Sequence, residues 1–187
     1  MNLNQLKRTA VSLAVASAAL AAGSANAYQV TLDVAGIESR DALGTSGNAT
    51  RFLDLAAGAR VTGLAWNVSL FTNSTSWLSE ISVDFNDGAF AGLSLSPGFG
   101  DDSSGAADYS GSADLVALGV DFTVGSTGRL FLEFFETFDD FVGAADGGWR
   151  SGTLTVTYVP EPASFGLAAI ALLGLGATSR RRRQLQG

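Results

Sequence analysis

RLFLEFFETF, residues 129–138, decides the fold. In an extended chain Leu130, Leu132 and Phe134 point one way, while Phe131, Glu133 and Phe135 point the other. Bulky apolar residues on both sides mean that both faces are covered. That is the signature of a central strand in a two-layer sandwich. GSTG at 125–128 supplies the turn into it.

Period-two alternation recurs on either side. Tyr28, Val30, Leu32 and Val34 alternate with Gln29, Thr31 and Asp33, and the same pattern runs through Leu64, Trp66, Val68 and Leu70 and through Ile81, Val83 and Phe85. Leu118, Val120, Phe122 and Val124 predict a further strand, and Leu154, Val156 and Tyr158 close the series. Asn86-Asp87-Gly88 is a turn signal. The Gly-rich polar stretches ALGTSGNAT (42–50) and SPGFGDDSSGAADYSGSAD (96–114) predict surface loops. Residues 28–158 are therefore expected to form an all-β, antiparallel, jelly-roll-like sandwich. The closing GGWRSGTLTVTY, residues 147–158, is similar to the last strand of P-domain-like and other jelly-roll modules of exported proteins.

Residues 28–158 hold five arginines and no lysine against seventeen carboxylates, a net charge of −12. Such a surface repels nucleic acid and anionic lipid, and no nucleic-acid partner is expected. The chain has neither cysteine nor histidine. Disulfides, Cys-His and Ser-His-Asp nucleophiles and His- or Cys-based zinc sites are all excluded.

Carboxylates alone suffice for glycoside hydrolysis, but Glu133 and Glu136 fall on opposite faces of one strand and no pair stands out. No enzyme and no cofactor are expected. Ca²⁺ is the one ion that the Asp-bearing loops at Asp87, Asp101, Asp102, Asp139 and Asp140 would suit, with Asp101 and Asp102 the leading candidates, although the D-x-D-x-D-G spacing is missing. Trp66 alternates with core residues, whereas Trp77 and Trp149, flanked by small or polar neighbours, are candidates for exposure and for stacking on sugar rings. Asn48, Asn67 and Asn73 begin triplets of the glycosylation-acceptor type.

The two ends of the chain differ from its middle. MNLNQLKRTAVSLAVASAALAAGSANA, residues 1–27, has Lys7 and Arg8 ahead of a small-residue apolar run and ends Ala25-Asn26-Ala27. This is a secretory signal peptide, with cleavage by signal peptidase expected after Ala27. At the other end, Val159, Pro160, Glu161 and Pro162 precede an apolar stretch, residues 163–177, and the basic cluster Arg180, Arg181, Arg182 and Arg183. As a helix that stretch rises about 22 Å against a hydrocarbon core of about 30 Å, a marginal transmembrane span, with the arginines as a cytoplasmic stop.

Residues 159–187 resemble the PEP-CTERM sorting signal, whose V-P-E-P, Gly/Ala/Leu-rich helix and arginine cluster all stand here in order. The resemblance implies a Gram-negative bacterial protein recognised by a membrane-embedded exosortase, commonly alongside exopolysaccharide production. It implies an inner-membrane intermediate held by the short helix, then release to the cell surface or extracellular matrix. The cargo domain's own role follows from no motif. A structural or adhesive matrix component is the first expectation, a carbohydrate-binding module the second and a carboxylate-dependent glycoside hydrolase the third.

Overall fold

The computed structural model describes residues 26–73, 75–89 and 91–161. The signal segment up to Ala25, Ser74 of the third Asn triplet, and the tail from Pro162 through the apolar stretch to Arg180–Arg183 lie outside the described residues.

Among the described residues there are ten strands: β1 Tyr28–Asp33, β2 Ile37–Ser39, β3 Ala49–Asp54, β4 Arg60–Thr72, β5 Ile81–Asn86, β6 Gly92–Leu95, β7 Ala106–Asp114, β8 Phe122–Thr123, β9 Arg129–Glu136 and β10 Gly147–Val159. One sheet has the order β1-β10-β4-β7, with β2 and β8 added at its margins, and the other has the order β3-β9-β5-β6. Every pairing is antiparallel. Setting β2 and β8 aside, the first long strand pairs with the eighth, the second with the seventh, the third with the sixth and the fourth with the fifth. That nested pairing, alternating between two sheets, is a jelly roll.

The alternation read from the sequence explains the core. Leu64, Val68 and Leu70 of β4, Ile81, Val83 and Phe85 of β5, Leu130, Leu132 and Phe134 of β9, and Leu154 and Val156 of β10 are all buried between the sheets. Each side chain of this size contributes about 1.5–3 kcal/mol when taken fully from water. Phe134 meets Trp149 of the opposite sheet edge-to-face, with ring centroids 5.4 Å apart. On the outer side of β9, Glu133 and Phe135 are also buried, so both faces of the RLFLEFFE strand are covered as expected. The cover over Glu133 is the 40–48 loop, whose Gly44 N and Asn48 Nδ2 donate to Glu133 Oε1 at 2.7 and 2.8 Å.

Two segments differ from the sequence expectation. Residues 96–114 are not loop throughout, because Ala106–Asp114 form β7, an edge strand paired with β4. Its polar, small-residue composition suits an edge with one face to water. Gly111 is required there, since a Cβ would lie 2.4 Å from the ring of Trp66. The strand expected over Leu118 to Val124 is reduced to Phe122–Thr123, because Leu115–Leu118 form a single helical turn, α1. Asp114 caps it by accepting from Val116 N and Ala117 N, both at 3.0 Å. Gly119 ends it with φ 70°, a left-handed cap that suits glycine.

Candidate functional site

One end of the sandwich collects most of the chain's unusual chemistry. It is built from Asn73 and residues 75–80, which hold the 3₁₀ turn Leu78–Glu80, from the 97–103 loop, and from the 137–146 loop between β9 and β10. Hydrogen bonds stitch the three together. Asn73 N donates to Asp146 O (2.6 Å), Ser76 Oγ to Asp140 Oδ2 (2.8 Å) and Thr137 N to Glu80 O (3.0 Å). Leu78 N and Ser79 N donate to the carbonyls of Ser103 and Asp101.

The rim of this end is aromatic and wet. Trp77 is 46% exposed, Phe138 63% and Phe99 89%, with Phe141 and Val142 exposed beside them. Trp77 therefore stands as the sequence suggests. Trp149 does not: it is fully buried against Phe134, and its candidacy for sugar stacking is withdrawn, since β10 turns its side chain between the sheets. Trp66 packs partly buried against the core.

Asp101 and Asp102, the leading candidates for Ca²⁺, are engaged by hydroxyls. Asp101 accepts from Tyr109 Oη at 2.6 Å and Ser103 Oγ at 2.5 Å, and Asp102 from Ser79 Oγ at 2.8 Å. The two hydroxyls hold the Asp101 carboxyl below the usual carboxylate range, and burial together with the Asp101 acceptor pushes the Tyr109 phenol up. They fasten the 97–103 loop to β7 and to the 3₁₀ turn. Asn48 is buried, its amide donating to Ala42 O and Glu133, and the Asn73 amide donates to Ala145 O.

Beneath the rim lie carboxylates of which the sequence points to Glu136, Asp139 and Asp140 but not to Glu80 and Asp146. Glu136 ends β9 on the core-facing side and is 0% exposed, as is Asp146 just before β10. Burial first, then the facing carboxylates of Asp146, Glu80, Asp140 and Asp139, push Glu136 up to about 9. Glu80 and Asp146 are also raised, chiefly by burial and against backbone N–H donors that pull the other way. Asp146 Oδ2 accepts from Asp140 N at 2.7 Å, and Glu80 Oε2 from Trp77 N at 2.8 Å.

Four buried carboxylate oxygens nevertheless have no hydrogen-bond partner: Glu136 Oε1 and Oε2, Asp139 Oδ1 and Asp146 Oδ1. Ser39 Oγ and Trp149 Nε1 share that condition. Ser39 O accepts from Asp146 N, which puts this strand end in the same neighbourhood. The ion pairs among the described residues, Arg40–Glu38, Arg60–Asp121 and Arg129–Asp54, involve none of these groups. As the side chains stand, no three acidic groups among the described residues converge as a finished metal centre. A sequence signal existed in hindsight, because Glu136 continues the Leu130, Leu132, Phe134 side of its strand.

The last strand ends at Val159, and Pro160 and Glu161 follow it outside any sheet. From residue 159 to residue 183 the chain matches the family model of the PEP-CTERM protein-sorting motif. No curated protein matches the chain. Among solved structures, the Cyanophage Pam1 capsid asymmetric unit is similar at 21% identity over 75% of this chain and 87% of that one, with a TM-score of 0.38. Desmodium yellow mottle tymovirus is similar at 10% identity over 74% and 89%, with a TM-score of 0.27. Scores this low carry no weight here, and the jelly roll rests on its own strand pairing. Among the described residues no helix is long and apolar enough to cross a membrane.

An antiparallel β-sandwich followed directly by a sorting tail defines the class, an exported cargo domain with its address at the C-terminus. The address itself is particular: this is a chain carrying a PEP-CTERM motif, which implies processing by exosortase at the membrane before release to the surface.

Proposed function

We propose that this chain is a non-catalytic structural or adhesive protein of the cell surface or extracellular matrix of a Gram-negative bacterium, associated with exopolysaccharide. The observation that carries the reading is the PEP-CTERM motif at residues 159–183. The fold supports it: a sandwich dense in β structure, with an acidic surface that repels nucleic acid, is a durable unit outside the cell. Exosortase acts on the tail, after signal peptidase has removed residues 1–27.

A second reading, a carbohydrate-binding module, is favoured by one specific feature. Trp77, Phe138 and Phe141 are exposed at one end beside Asp140, which Ser76 ties to the Trp77 segment. Aromatic faces stack on sugar rings while carboxylates accept hydrogen bonds from their hydroxyls. The hydrolase reading has the least support, because Glu136 and Asp146 lie shielded from any polymer.

Pull-down of the purified exported protein on neutral and acidic polysaccharides tests the adhesive role. Retention that falls on Trp77→Ala supports the aromatic end as the contact. Absence of retention on every polymer, including the host's own exopolysaccharide, argues against association with polysaccharide, and release of reducing sugar argues for the hydrolase.

A further inference from the structure

We propose that Glu136, Asp139 and Asp146, with Glu80 and Asp140 beside them, form a binding site for a hard divalent cation, Ca²⁺, that ties the end of β9 and the start of β10 to the 3₁₀ turn. This site is distinct from the Asp101–Asp102 pair and independent of the function proposed above.

Charge balance gives the first argument. The five carboxylates named include two on fully buried residues, and none is among the ion pairs of the described residues. Burying carboxylate charge without a counter-charge is costly, so positive charge must enter as protons or as a metal ion.

The count of oxygens separates these two. Glu136 Oε1 and Oε2, Asp139 Oδ1 and Asp146 Oδ1 are four buried acceptors without partners. One proton on Glu136 joins a donor oxygen to one acceptor and leaves two of the four orphaned. A cation that takes six to eight oxygen ligands satisfies all four together, with Ser39 Oγ as a further neutral oxygen nearby.

The donor set selects the ion. All the candidate ligands are oxygens, in a chain without histidine or cysteine, which disfavours zinc and copper. Mg²⁺ demands a small octahedral shell and retains its waters, whereas Ca²⁺ accepts irregular, loop-borne carboxylates, including bidentate ones. The side chains do not yet converge. Asp139, Asp140 and Asp146 lie in or beside the 137–146 loop, and the proposal requires that loop to bring them together around the ion.

The test uses the full-length chain in detergent, stripped with EDTA and titrated with CaCl₂ or MgCl₂ at pH 8, with thermal melting and calorimetry as readouts. Ca²⁺ is expected to raise the Tm by several degrees in a saturable way, to bind at one site, and to bind at least tenfold more tightly than Mg²⁺. Glu136→Gln should weaken Ca²⁺ binding at least tenfold, and Asp101→Asn should leave it unchanged. Should Glu136→Gln fail to fold, Asp139→Asn is the substitute and should show the same weakening. A melting temperature indifferent to Ca²⁺ overturns the proposal and leaves protons as the balancing charge. So does a Ca²⁺ response that survives Glu136→Gln or disappears with Asp101→Asn.

Discussion

Glu136 stands directly across the β5–β9 ladder from Ile81, both of them fully buried, on the side of β9 that otherwise carries Leu130, Leu132 and Phe134. A carboxyl occupies a position built for an apolar side chain, and the balance between its protonated and ionised forms sets how well this end of the sandwich holds.

In metal-free protein the consequence is a falling stability with rising pH. The Glu136 carboxyl is held up to about 9 in the fold, above the ordinary carboxylate range of an unfolded chain near 4.5. Its contribution is fully present below about pH 4.5, declines as the pH rises and is lost on passing about 9, with a slope of at most about 1.4 kcal/mol per pH unit for one group. Glu80 and Asp146, also raised, act in the same direction. Denaturant melts in EDTA at pH 5 and pH 8 should show the wild type weaker at pH 8 and Glu136→Gln with a clearly smaller difference. Equal pH dependence in the two proteins would show that Glu136 is not the group responsible.

Trp149→Ala should destabilise the domain by about 3–5 kcal/mol, since it removes a fully buried ring together with its edge-to-face contact on Phe134. Urea unfolding followed by circular dichroism measures this. A loss under 1 kcal/mol would mean that the two sheets do not meet through this pair.

What the sequence made legible follows from what period-two patterning can report. RLFLEFFE announced a strand covered on both faces because its apolar residues occupy both, and the Val-Pro-Glu-Pro tail announced itself by motif. β7 was hidden because an edge strand paired on one side tolerates Ala, Ser and Gly, so Ala106–Asp114 reads as loop composition. The strand read from Leu118 to Val124 began too early, because Leu118 closes a helical turn whose cap residues are Asp114 and Gly119. Trp149 has small neighbours in sequence and large ones in space. The carboxylates were not read as one group because Glu80 is far along the chain from Glu136 and Asp146, and the β5–β9 pairing brings its segment to the end of β9.

Asp114→Ala should cost about 1 kcal/mol, as two backbone donors at the start of α1 lose their acceptor. Gly119→Ala should also destabilise, because φ 70° disfavours any residue with a Cβ. Thermal melts of the two variants check both. A variant as stable as the wild type would indicate that the cap is not formed in solution.

Trp77→Ala is expected to change stability by less than about 1 kcal/mol while reducing retention on polysaccharide, since nearly half of the residue faces solvent. Melting and pull-down on the same preparation separate the two effects. A large stability loss would assign Trp77 to packing instead.

The sorting role of the tail is tested most directly by intact-mass measurement of the chain recovered from the envelope and the medium of host cells with and without exosortase. With exosortase, the mass should correspond to a chain beginning at Tyr28 and lacking Arg180 to Arg183. Without it, the arginines should remain and the protein should stay in the inner membrane. Intact C-terminal arginines on the exported protein in both hosts would contradict processing at the Pro160-Glu161-Pro162 motif and make the tail an ordinary anchor.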